Sequence, residues 1–243
     1  MVVPIGIRIW NSGKQVGVVQ NYQKSLENTS LSDMVKELAS AKEYNRELYE
    51  TRTIDLEQYV KELDLSGNGM MGSLEIPKIS LKLPIYHGTS EAVLSSGVGH
   101  LRESSLPVGG ENVHCILTGH RGLPSAQLFT RLDELEQGDE FSVRVCQKVF
   151  YYRVSDISVI EPTNTETVLQ LQEGRDLISL VTCTPYGINT HRLIVTGERI
   201  AEETVPKNAV ANPFSKWDWC FLMIPILFLG ISVIQRKRKE KEK

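Results

Sequence analysis

The stretch LISLVTCTPYGINTHRLIV ends an apolar run at Cys183 and sets Arg192 nine residues further on. A cation beside a thiol favours the thiolate, and the thiolate is the nucleophile. LISLV has the composition of a strand. TPYGINT carries the turn formers Pro185, Gly187 and Asn189, and HRLIV has the composition of a second strand. A hairpin of this kind sets its strand ends side by side, so Cys183 and Arg192 are expected within a few ångströms. A partner that moves protons is then needed, and histidine titrates in the right range. Of the five histidines, His120 follows the apolar run VHCILTG, between Gly119 and Gly122, which leave room for close backbone approach. His191 falls on the opposite strand face from Arg192. His114 falls inside a strand, on the same face as Ile116 and Thr118.

The other cysteines are Cys115, Cys146 and Cys220. No pair has CxxC spacing, and no Cys/His group has the spacing of a zinc site. Cys115 and Cys146 read as small buried hydrophobes. A chain of 243 residues, 41% hydrophobic, can build its own core and needs no disulfide framework. No acidic cluster has the spacing of a calcium loop, so neither metal nor cofactor is expected. A net charge of −3 gives no reason to expect nucleic acid as a partner.

The elements that must position these residues fall into two textures. Residues 17–65 are rich in helix formers, with Ser30, Leu31 and Asp33 placed to open a helix. Met34, Val35, Leu38, Tyr44 and Leu48 roughly follow helical spacing, and DLEQYVKELDL reads as a second short helix. SGNGMMG then marks a boundary near residue 66. Beyond it come short strands: SLEIPKI, LKLPIY, VHCILTG, EFSVRVC, KVFYYRVSDISVI, LISLVTC and HRLIVTGERI. Pro77 and Pro84 suit edges or bends rather than a central ladder. Short helical segments are expected at EAVLSS, SAQLFTRLDEL and TVLQLQ. Many short strands with few helices predict a mainly β fold, a closed or nearly closed barrel.

The two ends differ from this middle. MVVPIGIRIW, within residues 1–16, is apolar but too short to span a bilayer, and it reads as the remnant of a longer signal or membrane segment. Residues 204–218 are polar and read as a linker. Residues 219–235 are free of charge and follow Trp217 and Trp219. Arg236, Lys237, Arg238 and Lys239 come directly after them. That pattern predicts a transmembrane helix, with the basic tail 236–243 in the cytoplasm and everything before Trp217 outside. The chain is therefore expected at the cell membrane as a single-pass protein.

HGTSEAVLSSGVGHL, LPVGGENVHCILTGHRGLPSAQLFTRLDELEQGD and LVTCTPYGINTHRLIVTGER together resemble the class C sortases, the pilin-polymerising transpeptidases of Gram-positive bacteria. The resemblance covers about residues 70–200. It implies a closed eight-stranded sortase-type β-barrel over 72–203, preceded by a helical leader or lid region over 17–71. The family's His-Cys-Arg set maps onto His120, Cys183 and Arg192, with SLVTC in the place of its TLxTC-like motif. It implies cleavage of an LPxTG-like sorting signal between Thr and Gly, followed by capture of the acyl group by a pilin lysine. Pilin subunits bearing sorting signals, and the bilayer, are the implied partners. Arg192 is expected to hold the developing oxyanion or to position the signal's backbone, and Thr182 to contribute its hydroxyl or N–H to substrate binding. One departure stands out. Class C sortases commonly carry an Asp-Pro-aromatic lid motif, and residues 17–72 contain no Asp-Pro pair. Either the lid is missing or a different sequence covers the groove. Two other readings remain open: a housekeeping-type sortase that anchors surface proteins to cell-wall precursor, and a non-catalytic membrane-tethered β-barrel module.

Overall fold

The computed structural model describes residues 5–123, 126–167 and 172–201. Three helices come first: α1 (Ile5–Glu27), α2 (Leu31–Thr51) and α3 (Leu56–Tyr59). Eight strands follow: β1 (Met70–Ile76), β2 (Leu81–His87), β3 (Val98–His100), β4 (Val113–Thr118), β5 (Glu140–Val145), β6 (Lys148–Ile160), β7 (Asp176–Thr184) and β8 (His191–Ile200). A further short helix, α4 (Glu91–Ser96), lies between β2 and β3.

The strands close into a barrel in the order β1-β2-β3-β4-β7-β8-β6-β5. Closure leaves no sheet edge, and it encloses one face of every strand. The alternation of side chains fixes which face. On β7, Ile178 and Leu180 are fully buried in the barrel, as are Val195 on β8 and Leu117 on β4. The intervening residues Ser179, Val181 and Cys183 therefore stand on the outer face.

Within the helical leader, α2 is opened by Ser30, whose Oγ accepts the Asp33 N–H at 3.1 Å. Arg52 ends α2 in the left-handed conformation, its N–H returning to the Leu48 carbonyl. Met34, Ala41, Tyr44, Asn45 and Leu48 form the buried face of α2. Val35, which the apolar spacing assigns to that face, is 58% exposed. It lies one residue, about 100° of helical turn, from Met34. The helix α1 runs unbroken through residues 16 and 17, and β1 begins at Met70, inside the stretch assigned to the leader.

Side chains from the leader join the barrel in one continuous core, and polar groups fix the seam. Asn45 donates to the Leu106 carbonyl at 3.0 Å and accepts the Leu106 N–H at 2.7 Å. The Tyr59 hydroxyl accepts the Gly88 N–H at 3.0 Å and lies 3.0 Å from His100 Nδ1. Among the described residues, no hydrogen bond or ion pair runs from residues 52–69 to His120, Cys183 or Arg192. The segment in the lid's sequence position is tied by hydrogen bonds to the ends of β2 and β3.

His100 carries a measurable consequence of that seam. It is fully buried. Its Nε2–H donates to the Ser105 carbonyl at 2.9 Å, which leaves Nδ1 to accept from Tyr59. Burial pushes its pKa down from 6.5 to about 4, against the opposing pull of the Ser105 bond. The unfolded chain takes up this proton near pH 6.5, whereas the folded chain does not until about pH 4. Stability is therefore lost as pH falls through that window, by on the order of 3 kcal/mol. Urea unfolding between pH 7 and 4 should show this fall. The variant His100→Gln should flatten that part of the profile; an unchanged slope would contradict the assignment.

Sequence and structure differ in a few places. β3 follows none of the strand runs read from the sequence, because three residues that include Gly99 carry no alternation. Pro77 does begin a 3₁₀ turn. Pro84, however, lies inside β2, paired with Ser73 of β1. It is tolerated because β3 pairs with β2 only from Ile85 onward. The segment SAQLFTRLDEL forms a 3₁₀ helix at Leu128–Glu134. Most of TVLQLQ, the linker at 204–218, the expected membrane helix at 219–235 and the tail at 236–243 lie outside the described residues. Among those described, no helix is long and apolar enough to cross a membrane.

Candidate active site

The strands β4, β7 and β8 are neighbours in the barrel, and their register brings the three predicted residues into one row. Cys183 pairs directly with Arg192 across the antiparallel β7–β8 ladder. On the other side β4 runs parallel to β7, with Thr118 opposite Val181. Two residues beyond Thr118 and Val181 stand His120 and Cys183, and the Gly119 N–H still bonds to the Val181 carbonyl at 3.1 Å. The sequence His120–Cys183–Arg192 thus runs across three adjacent strand ends on the outer face.

The loop after β4 is held on both sides. The His120 carbonyl accepts the Phe129 N–H at 3.0 Å, and the Gly122 N–H donates to Thr130 Oγ1 at 3.1 Å. Gly122 has φ +83°, and a Cβ there would lie 3.1 Å from the Tyr186 ring, so glycine serves both the backbone angle and the close approach. Arg121 bridges the chain after β4 to the end of β7. Its Nη1 donates to Thr184 Oγ1 at 2.9 Å and its Nη2 pairs with Asp133 at 2.9 Å, with the side chain 6% exposed. Residue 121 follows His120 and residue 184 follows Cys183, so this buried cation ties the histidine's loop to the cysteine's strand. Neither Arg121 nor Glu91 stood out in the sequence. Glu91, the first residue of α4, lies 3.2 Å from His120 Nε2 through its Oε2.

The reactive groups are close in register yet differently engaged. Among the described residues the Cys183 sulfur has no hydrogen bond to His120 or Arg192. The His120 ring is turned to Glu91, and Arg192 Nη1 donates to the His191 carbonyl at 3.1 Å and the Asn189 carbonyl at 3.4 Å. Rotation of exposed side chains in the free enzyme and tightening on substrate is the usual behaviour of such groups. Cys183 is part-exposed, whereas Cys115 and Cys146 are buried. Burial pushes the Cys115 thiol well up and the Cys146 thiol up to about 11, which keeps both protonated and unreactive. Cys220 lies outside the described residues.

Thr182 departs from expectation. It is 1% exposed, and its hydroxyl donates inward to the Gly119 carbonyl at 2.7 Å. Strand alternation turns it to the face opposite Cys183, so it joins the ends of β4 and β7 and is not presented to a substrate. His114 lies on the outer face, as its place with Ile116 and Thr118 predicts, and its Nε2 is 2.8 Å from Ser179 Oγ.

Below the reactive row the outer face turns apolar. Ile116 and Ile194 are buried there, with Leu101, Ile160 and Val181 packed against them. A part-exposed thiol with a cation on one side, an imidazole on the other and an apolar floor below is suited to acyl transfer from an extended peptide. Such a set can supply a nucleophile, a proton carrier and an oxyanion donor.

The comparisons with known proteins point the same way. The sortase domain model matches residues 74–200. Sortase D from Bacillus subtilis (strain 168) is 35% identical over 132 residues, which cover 53% of this chain and 63% of that one. The match therefore spans less than two thirds of that relative's length. Among solved structures, sortase C1 from Streptococcus agalactiae is 42% identical with a TM-score of 0.72, covering 76% of this chain and 98% of that one. Sortase C from Streptococcus pneumoniae, whose structure bears on catalysis and pilin substrate specificity, is 38% identical with a TM-score of 0.71, covering 78% and 99%. The two solved structures just named are class C sortases, and the chain itself belongs to the sortase family, whose members are cysteine transpeptidases.

Proposed function

We propose that this protein is a class C sortase. In this reading Cys183 cleaves LPxTG-like sorting signals of pilin subunits and passes the acyl group to a lysine amine of another pilin. The observation that carries the reading is the strand register, which sets Cys183 opposite Arg192 and His120 at the neighbouring strand end. The likeness to class C structures supports the pilin as substrate.

The chemistry runs in two balanced halves. The Cys183 thiolate forms a bond to the Thr carbonyl carbon of the signal, and the Thr–Gly C–N bond breaks. The departing amine takes its proton from protonated His120, since an amide nitrogen leaves poorly without one. Arg192 rotates from the loop carbonyls to hold the oxyanion or the signal's backbone through its fixed fork of donors. A lysine of a second pilin then attacks the thioester as the free amine. Its nitrogen bonds to the acyl carbon, the sulfur leaves as thiolate, and His120 takes the amine proton. The imidazolium–thiolate pair is restored and an isopeptide bond remains. The apolar run 219–235 and the basic residues after it support a membrane tether outside the cell, where substrates held by their own apolar tails meet the enzyme at raised effective concentration.

The test mixes the catalytic domain with a sorting-signal peptide and purified pilin subunits. Covalent pilin multimers that disappear when the acceptor lysine is changed to arginine are expected. Peptide cleavage with transfer only to a cell-wall precursor amine would instead show the housekeeping-type reaction. No cleavage at all would favour the non-catalytic module.

A further inference from the structure

The outer face of β4, β7, β8 and β6 is ruled into rows by its register. The reactive row is His120, Cys183, Arg192 and Ile160. Two residues along each strand lie Val181, Ile194 and Ser158, and two further along lie Ser179, Thr196 and Asp156. At ~3.3 Å per residue the third row is about 13 Å from the first. It forms the floor of a cavity of about 450 Å³. Its hydroxyls are ordered into a chain: Ser179 Oγ lies 2.8 Å from Thr196 Oγ1 and 2.8 Å from His114 Nε2. Ile160 and Ile194 are common to the cavity and to the apolar cluster that lies below Cys183.

The cavity carries an uneven charge. Arg175, on its wall, is already neutralised by Glu198, with Nη2–Oε2 at 2.7 Å and Nε–Oε1 at 3.3 Å. Asp156 has no hydrogen bond or ion pair among the described residues. Among the described residues that line the cavity, its carboxylate is a charge with no ion-pair partner, beside hydroxyls that can accept further hydrogen bonds.

The length of the substrate matches this spacing, provided that the sorting-signal function proposed above holds. An extended peptide whose scissile carbonyl sits at Cys183, running along the face of β7, covers about 13 Å with four residues. The four residues of an LPxT core then occupy the reactive row and the apolar cluster. The residue immediately before the core arrives at the row of Ser179, Thr196 and Asp156. We infer that this cavity is a substrate subsite that takes a cationic side chain directly upstream of the four-residue signal, with Asp156 as its counter-charge.

Three peptides that differ only in the residue before the core, carrying Lys, Ala or Glu there, test this by kcat/KM of cleavage at low salt. Lys is expected to be preferred over Glu by about fivefold, the scale of a partly exposed ion pair, and the preference should shrink as salt rises. Asp156→Asn should flatten the Lys-to-Glu ratio, and Asp156→Lys should invert it. Equal cleavage of the three peptides by the unaltered protein would overturn the subsite and leave the sorting-signal reading standing. So would a Lys preference that persists in Asp156→Lys. Cleavage of none of the three would overturn that reading, and the subsite with it.

Discussion

Replacing Cys183 with alanine should abolish cleavage and transfer, by at least ~10⁴-fold, while the thermal midpoint stays within a few degrees of the unaltered protein. The magnitude follows from the chemistry: without the sulfur no covalent intermediate forms, and water has no comparable route to the Thr carbonyl. The small effect on stability follows from position. Cys183 stands part-exposed on the outer face of β7, and its removal opens no cavity in the barrel core. The buried cysteines provide the contrast. Cys115→Ser places a hydroxyl in a fully buried site and should lower stability while sparing the reaction in what remains folded. Iodoacetamide should accordingly label Cys183 in the native protein long before Cys115 or Cys146. Activity surviving Cys183→Ala would leave the row without its nucleophile.

Loss of His120 should be nearly as severe. His120→Ala is expected to lower kcat by about 10²–10⁴-fold, the usual worth of a positioned general acid. Its signature should lie in the leaving group. The imidazole is assigned to protonate a departing amine, and an alkoxide needs that help less. A signal analogue with an ester in place of the Thr–Gly amide should therefore recover much of the lost rate in His120→Ala, and little in Cys183→Ala. An equal defect on both analogues would mean that His120 acts in some other way. Arg192 is expected to fall between these cases, with its loss seen in kcat, and lysine should be a poor replacement because it lacks the planar fork.

The juxtaposition of His120, Cys183 and Arg192 was legible in the sequence because each sits at a strand end beside a turn. The strand-like composition of LISLV and HRLIV and the turn formers of TPYGINT place Cys183 against Arg192 with no knowledge of the rest of the fold. The long strands were legible for the same reason, and β3 was not, being three residues defined by its neighbours on β2 and β4. Glu91 and Arg121 escaped notice because their partners are remote in the chain. Glu91 meets His120 across 29 positions, and Arg121 meets Thr184 across 63. Only barrel closure brings those ends together. The inward turn of Thr182 escaped notice for a simpler reason. Proximity to Cys183 in sequence suggested a shared role, whereas a period of two sends adjacent residues to opposite faces. The leader was legible as helix but not in its placement, since Tyr59 and Asn45 find their partners on the barrel through tertiary packing.

The most direct test of the account is mass spectrometry of the protein mixed with a sorting-signal peptide and quenched in acid before turnover. A mass increase equal to the acyl part of the signal is expected, carried on the fragment containing Cys183 and released by hydroxylamine. Cleavage of the peptide with no adduct on that fragment, or an adduct on a different cysteine, would contradict it.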